Sequence, residues 1–151
     1  MTRLLSKDEP IPYDLLLLAD EFVEVIDKYI FDSEIYVYEE GDRIIALYAL
    51  YKIDSEEAEI KNIAVDSEYQ NKGIGKVLLN EATARAKEKG FKTLAIGTGD
   101  AMMIQLQLYQ KAGFEMDMIK KNFYLDNYPT PIYENGLRLK HMVVLKKKLD
   151  R

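Results

Sequence analysis

The chain has 151 residues, 48% of them hydrophobic and 31% charged, a balance that fits a folded domain and excludes wholesale disorder. Its formal net charge of −5 argues against a nucleic-acid partner held by phosphate neutralisation. The absence of cysteine excludes disulfides, zinc–thiolate sites and cysteine nucleophiles, and agrees with a reducing compartment. Residues 1–8 lack the apolar core of a signal peptide, and the longest uninterrupted apolar run, 44–51, has 8 residues. A bilayer span needs ~20. These features predict a soluble, cytoplasmic protein with one domain over residues 1–151 and neither membrane nor nucleic-acid partner.

In chain order, residues 2–5 are expected to form a short strand, and Pro10 and Pro12 then break the chain before a helical region. Leu15, Leu18, Phe22, Val25, Ile26 and Tyr29 recur at three- and four-residue steps, the inward stripe of one or two packed helices. Residues 33–39 and 43–53 are β-rich and joined at Glu40-Gly41-Asp42, which predicts a hairpin. A strand over 57–66 precedes a helix over 71–89, with Leu78, Leu79, Ala82 and Ala86 inward and Gly90 as its stop. Residues 93–96 read as a short strand closed by Gly97-Thr98-Gly99, with Asp100 as N-cap of a helix over 101–112. A strand over 114–120, a proline-broken, tyrosine-rich stretch over 122–136 and a last strand over 139–149 follow. The pattern predicts a mixed α/β domain.

The most informative stretch is Gln70-Asn71-Lys72-Gly73-Ile74-Gly75-Lys76, at a predicted strand-to-helix junction. Two glycines one residue apart let the backbone turn tightly with its amides outward. Those amides join the positive end of the helix dipole as an anion site, so a phosphate-bearing ligand is expected. A tight turn without a ligand is the plainer alternative. A Walker A loop is excluded, because Gly75-Lys76 is followed by Val77 and position 70 is Gln. A dinucleotide fingerprint at Gly97-Thr98-Gly99 fails as well, for it needs glycine where Met102 stands.

The pattern that fits is Gln/Arg-x-x-Gly-x-Gly/Ala between strand and helix. With Ile63-Ala64-Val65-Asp66 before it and Leu108-Tyr109-Gln110-Lys111-Ala112-Gly113-Phe114 after it, the chain resembles the GCN5-related N-acetyltransferase (GNAT) superfamily in its small bacterial form. The match in element order covers nearly the whole chain. The resemblance implies a mixed, mostly antiparallel central sheet of about six or seven strands flanked by helices. It implies acetyl-CoA as co-substrate, with its pyrophosphate on the amides of 71–76, where a side chain at 73 or 75 would block close approach. The pantetheine arm would pair like an added strand along Ile63-Ala64-Val65, and an exposed amide near Ile63 would polarise the thioester carbonyl.

Tyr109 matches the family's tyrosine beside the CoA sulfur and would protonate the departing thiolate; core packing is its other use. An asparagine common seven residues before that tyrosine is Met102 here, so Asp100, Gln105 or the backbone would take over its contact. Glu59 lies 11 residues before Gln70, the spacing of the catalytic glutamate in histone-acetyltransferase members. It is the candidate general base, because a protonated amine has no lone pair with which to attack. A strand-edge carboxylate paired with Lys61 is the alternative.

Phe123, Tyr124, Asp126, Tyr128, Tyr133 and Glu134 combine aromatic faces with carboxylates, which suits an ammonium-bearing acceptor. In the family this segment and the first helices wall the acceptor side. Tyr128, Tyr133, Glu134, Glu24 and Asp27 are therefore the candidate acceptor contacts; the same tyrosines would otherwise cover a sheet edge or a homodimer contact. His141, the only histidine, is expected to be a surface or structural residue, and no cluster has metal-ligand spacing, so no metal is expected. Lys146-Lys147-Lys148 reads as a solvated strand end. The expected function is transfer of an acetyl group from acetyl-CoA to a primary amine of a small molecule or peptide, directly in a ternary complex. A non-catalytic acyl-CoA-binding module, or an acyltransferase with another donor or acceptor, is the alternative.

Overall fold

The computed structural model describes residues 1–149. Its first part runs β1 (Thr2–Leu4), α1 (Tyr13–Ala19), α2 (Val23–Ile26), β2 (Ser33–Glu40), β3 (Arg43–Lys52) and β4 (Glu57–Val65). Then follow α3 (Ile74–Glu88), β5 (Thr93–Gly99), α4 (Met103–Lys111), β6 (Glu115–Lys120), α5 (Phe123–Asn127), β7 (Tyr133–Glu134), β8 (Leu137–Arg138) and β9 (Met142–Lys148). Strands β1 to β4 pair antiparallel in sequence order; short turns join β2 to β3 and β3 to β4, and the α1–α2 region joins β1 to β2. The next strand lies parallel to β4, which requires a crossover, and α3 supplies it. The seven-stranded sheet takes the order β1-β2-β3-β4-β5-β9-β6, mixed and mostly antiparallel as the motifs implied.

Each face of the sheet is covered by helices whose apolar spacing matches it. Leu78, Leu79, Ala82 and Ala86 of α3 pack with Leu106 and Tyr109 of α4 over Tyr48, Ile60, Ile96 and Phe114. On the other face Leu15 and Leu16 of α1 pack with Ile26, Tyr29, Leu47 and Ala64. The inward stripe expected here is corrected at one position. Leu18 is exposed, because α1 ends at Ala19 and its short apolar face centres on Leu15 and Leu16.

Four further expectations are revised. Strand β5 runs through Gly97-Thr98-Gly99 rather than stopping before them. The glycines serve close packing there: a Cβ at Gly99 would lie 2.8 Å from Leu139 Cδ1, and one at Gly97 would lie 2.5 Å from Met142 Sδ. Asp100 does not cap α4, which starts at Met103 without a side-chain cap; its Oδ1 instead accepts from the Lys140 amide at 3.1 Å. The tyrosine-rich stretch contains α5 and the β7–β8 hairpin. Lys147 is not a solvated strand end: its Nζ donates to the Ala112 carbonyl at 2.7 Å, and burial lowers its pKa. Among the described residues, no helix is long and apolar enough to cross a membrane.

Leu79 is fully buried at the α3–sheet contact. Leu79→Ala should therefore lower unfolding stability by about 2–5 kcal/mol in urea denaturation, and an unchanged midpoint would contradict this packing.

Candidate functional site

The parallel pair β4–β5 is short. Its register runs from Glu57↔Thr93 to Ile60↔Ile96 and then stops, while β4 continues to Val65 and β5 to Gly99. The β3–β4 register shows why. Ala49 pairs with Asn62 and Leu50 with Ile60, so Lys61 has no partner and forms a bulge. A bulge bends its strand and increases its twist. Beyond it β4 turns away from β5, and a wedge opens in the middle of the sheet.

Three cavities line up along this wedge. The outer one, of about 390 Å³, is bounded by Asn71, Gly73, Ile74, Gly75 and Lys76. It shares Ile63, Val65, Gln70, Gln105 and Tyr109 with the middle slot of about 200 Å³, which Ala64 also lines. The slot in turn shares Ile60, Lys61 and Gly97 with an inner cavity of about 250 Å³. Most residues expected to hold the donor thus come together. Two do not: Asp100 binds the Lys140 amide, and Lys72 is exposed with its Nζ 5.3 Å from the Tyr69 ring centroid.

At the outer end the local conformation suits an anion. Gly73 is the N-cap of α3 at φ 85°, a left-handed conformation that side chains strain to adopt. The first turn of α3 contains no acidic residue to occupy its free amides. Packing does not require the second glycine, Gly75: a Cβ there would make only an ordinary 3.9 Å contact with Leu108. Gln70 is fixed by its own amide, which donates to the Val65 carbonyl at 2.9 Å.

In the slot, Tyr109 stands on α4 with 6% of its surface exposed and its ring 6.4 Å from Phe114. Burial pushes its phenol up to about 12, so it keeps its proton at neutral pH. Gln105, one turn earlier on the same helix, lines both outer cavities; the sequence also put Asp100 forward for this position.

The inner cavity holds residues that the sequence motifs did not reveal. Asp20, just past α1, accepts from Tyr128 OH at 2.7 Å and from Tyr29 OH at 3.0 Å. Burial raises its pKa, and the two hydroxyl donors work against that rise. Burial also raises both tyrosines, helped by the charge of Asp20. Asn62 donates to Tyr29 OH and to the Leu16 carbonyl, each at 3.1 Å, which ties the network to β4. Glu59 lines the same cavity, 7% exposed, with its Oε1 3.3 Å from Lys61 Nζ. The pairing with Lys61 is thus present, and the same carboxylate borders the cavity.

Of the expected acceptor contacts, only Tyr128 reaches this cavity. Glu24 is exposed on α2, and Asp27 is exposed and accepts from Tyr13 OH at 2.7 Å. Tyr133 and Glu134 form the small β7–β8 hairpin, with Tyr133 62% exposed. The carboxylate that faces the cavity from the first helical region is Asp20, whose only sequence mark is its place at the end of an apolar run. His141 is structural: its Nδ1 accepts from the Asn122 amide at 2.9 Å. Among the described residues no group of three or more His, Asp or Glu side chains is placed to hold a metal ion.

The family model described as "Acetyltransferase (GNAT) family" matches residues 2–114. The chain belongs to this family. A relative from Bacillus subtilis (strain 168), named "Uncharacterized N-acetyltransferase YvbK", is 43% identical over 133 residues, 88% of this chain and 86% of its own. The crystal structure of a GNAT family acetyltransferase from Elizabethkingia anophelis with acetyl-CoA bound superposes with a TM-score of 0.96. It is 48% identical and covers 99% of this chain and 97% of that one. A Bacillus subtilis acetyltransferase in complex with CoA gives a TM-score of 0.89 at 40% identity, covering 99% of each chain. The enzyme class and fold of this GNAT chain are those of N-acetyltransferases.

The network around Asp20 makes a prediction. A hydroxyl that donates to a carboxylate favours its charged form, so Tyr128→Phe should raise the Asp20 pKa further. Carboxyl-detected NMR titration reads this directly, and an unchanged or lowered value would contradict the network.

Proposed function

We propose that this chain is an acetyl-CoA-dependent N-acetyltransferase that moves the acetyl group to a primary amine directly, in a ternary complex. The continuity of the three cavities carries the reading: an anion-ready loop at one end of the wedge, carboxylates at the other, and Tyr109 between them. Donor-bound relatives of nearly identical fold support acetyl-CoA as the occupant of the outer two. Its pyrophosphate then lies on the amides of 71–76, and its pantetheine runs along Ile63, Ala64 and Val65, where β4 has lost its β5 partner. An acetyl-CoA donor and a cysteine-free chain fit a cytoplasmic setting.

The chemistry follows from the layout. The acceptor ammonium gives its proton to Glu59 or Asp20, directly or through water, and the freed lone pair attacks the thioester carbon. A β4 amide near Ile63 stabilises the oxyanion that forms. As the C–S bond breaks, Tyr109 donates its proton to the departing thiolate, and burial ensures that this proton is present at any physiological pH. No acyl-cysteine step is available, because the chain has no cysteine.

Two substitutions separate binding from chemistry. Tyr109→Phe should lower kcat by about 100-fold with little change in KM for acetyl-CoA. Gly75→Val should weaken donor binding by about tenfold or more without loss of fold, since a Cβ there clashes with nothing in the chain. Wild-type turnover in the first, or wild-type affinity in the second, contradicts the role assigned. Donor binding without thiol release in the presence of any amine would instead make the chain an acyl-CoA-binding module.

A further inference from the structure

The inner cavity carries charges that acetyl transfer does not need. Lys28, exposed beyond α2, and Lys120, at the end of β6, line it along with Asp20 and the Glu59–Lys61 pair. Glu59 and Lys61 offset one another at 3.3 Å. Asp20 is met by two tyrosine hydroxyls and by no cation within 4.0 Å, among the described residues. Lys28 and Lys120 likewise have no carboxylate within that distance among the described residues, and Lys120 Nζ lies 5.7 Å from the centroid of the Phe123 ring. After pairing, the cavity presents one carboxylate and two ammonium groups.

This set of charges discriminates between kinds of amine. A polyamine or a simple alkylamine would gain Asp20 but meet two lysines of its own sign. An acceptor that carries an oxyanion satisfies both sides. Size sets a further limit, because about 250 Å³ lies below the usual range for drug-sized ligands. The walls add apolar character through Tyr51, Phe123 and Tyr128.

We propose that the acceptor is a small zwitterion of amino-acid type, its amine directed to Asp20 and Glu59 and its carboxylate or phosphonate to Lys28 and Lys120. The proposal rests on the N-acetyltransferase reading. The reaction balances as an ordinary acyl transfer. An N–C bond forms between the amine and the acetyl carbonyl carbon, and the C–S bond breaks. The ammonium loses one proton to a cavity carboxylate, and the second, shed by the nitrogen as the amide forms, replaces the proton that Tyr109 gives up. CoA leaves as the free thiol with a proton from Tyr109, and the other product is an N-acetyl amino acid.

The test is thiol release from acetyl-CoA with the proteinogenic amino acids, each against its carboxamide and its decarboxylated amine, with spermidine as an anion-free polyamine. The best amino acid should exceed its own amide and amine by about tenfold or more in kcat/KM. In the Lys28→Gln/Lys120→Gln double variant that ratio should fall to near one. A wild-type preference for the amide, the amine or spermidine overturns the inference and leaves the transferase reading intact. A ratio retained in the double variant removes the two lysines from it. No thiol release with any of these amines, while calorimetry still detects CoA binding, defeats the transferase reading and this inference together.

Discussion

The separation of β4 from β5 after four paired residues is the constraint on which the rest of the molecule depends. Parallel strands gain from pairing along their whole length, yet these two pair only from Glu57↔Thr93 to Ile60↔Ile96. The cause is local. One unopposed residue, Lys61, bends β4 against β3 and turns its far half out of the plane of β5. Everything else is arranged around the opening. Helix α3 begins at its mouth, α4 covers one side with Tyr109 and Gln105, and the α1–α2 region closes the other with Asp20 and Tyr29.

The two ends of the wedge differ in chemistry. Its outer end offers free amides and no acidic side chain in the first turn of α3; its inner end carries charges of both signs, Asp20 and Glu59 together with Lys28, Lys61 and Lys120. The chain Asn62–Tyr29–Asp20–Tyr128 joins β4, the region after α2, the end of α1 and the segment after α5 in one network, in which the Asn62 amide donates while its buried Oδ1 has no hydrogen-bond partner among the described residues. The network ties the wall of the inner cavity to β4, which also lines the middle slot.

The features legible in the sequence were those written locally. The glycine spacing of 70–76, the period of α3 and the hairpin at Gly41 each depend on neighbours within a few residues, and all three appear where expected. What sequence could not show depends on distant partners. Asp100 looked like a helix cap until the Lys140 amide, forty residues on, took its carboxylate. The Gly97-Thr98-Gly99 run looked like a loop because its glycines answer to Met142 and Leu139 rather than to a turn. Asp20 was hidden for the same reason: its two hydroxyl partners stand 9 and 108 residues away. Glu24 and Asp27 sit on the right region but on its outward side, a distinction that four residues of α2 are too short to encode as a periodic stripe.

The account turns on the unpaired edge of β4 as the place where the donor's pantetheine arm binds. Amide hydrogen exchange read residue by residue by NMR, with and without CoA, tests this most directly. The account predicts that β4 amides turned toward the wedge between Ile63 and Val65 exchange rapidly in the free protein and become protected when CoA is added. Binding of CoA with protection elsewhere and none along this edge would contradict it.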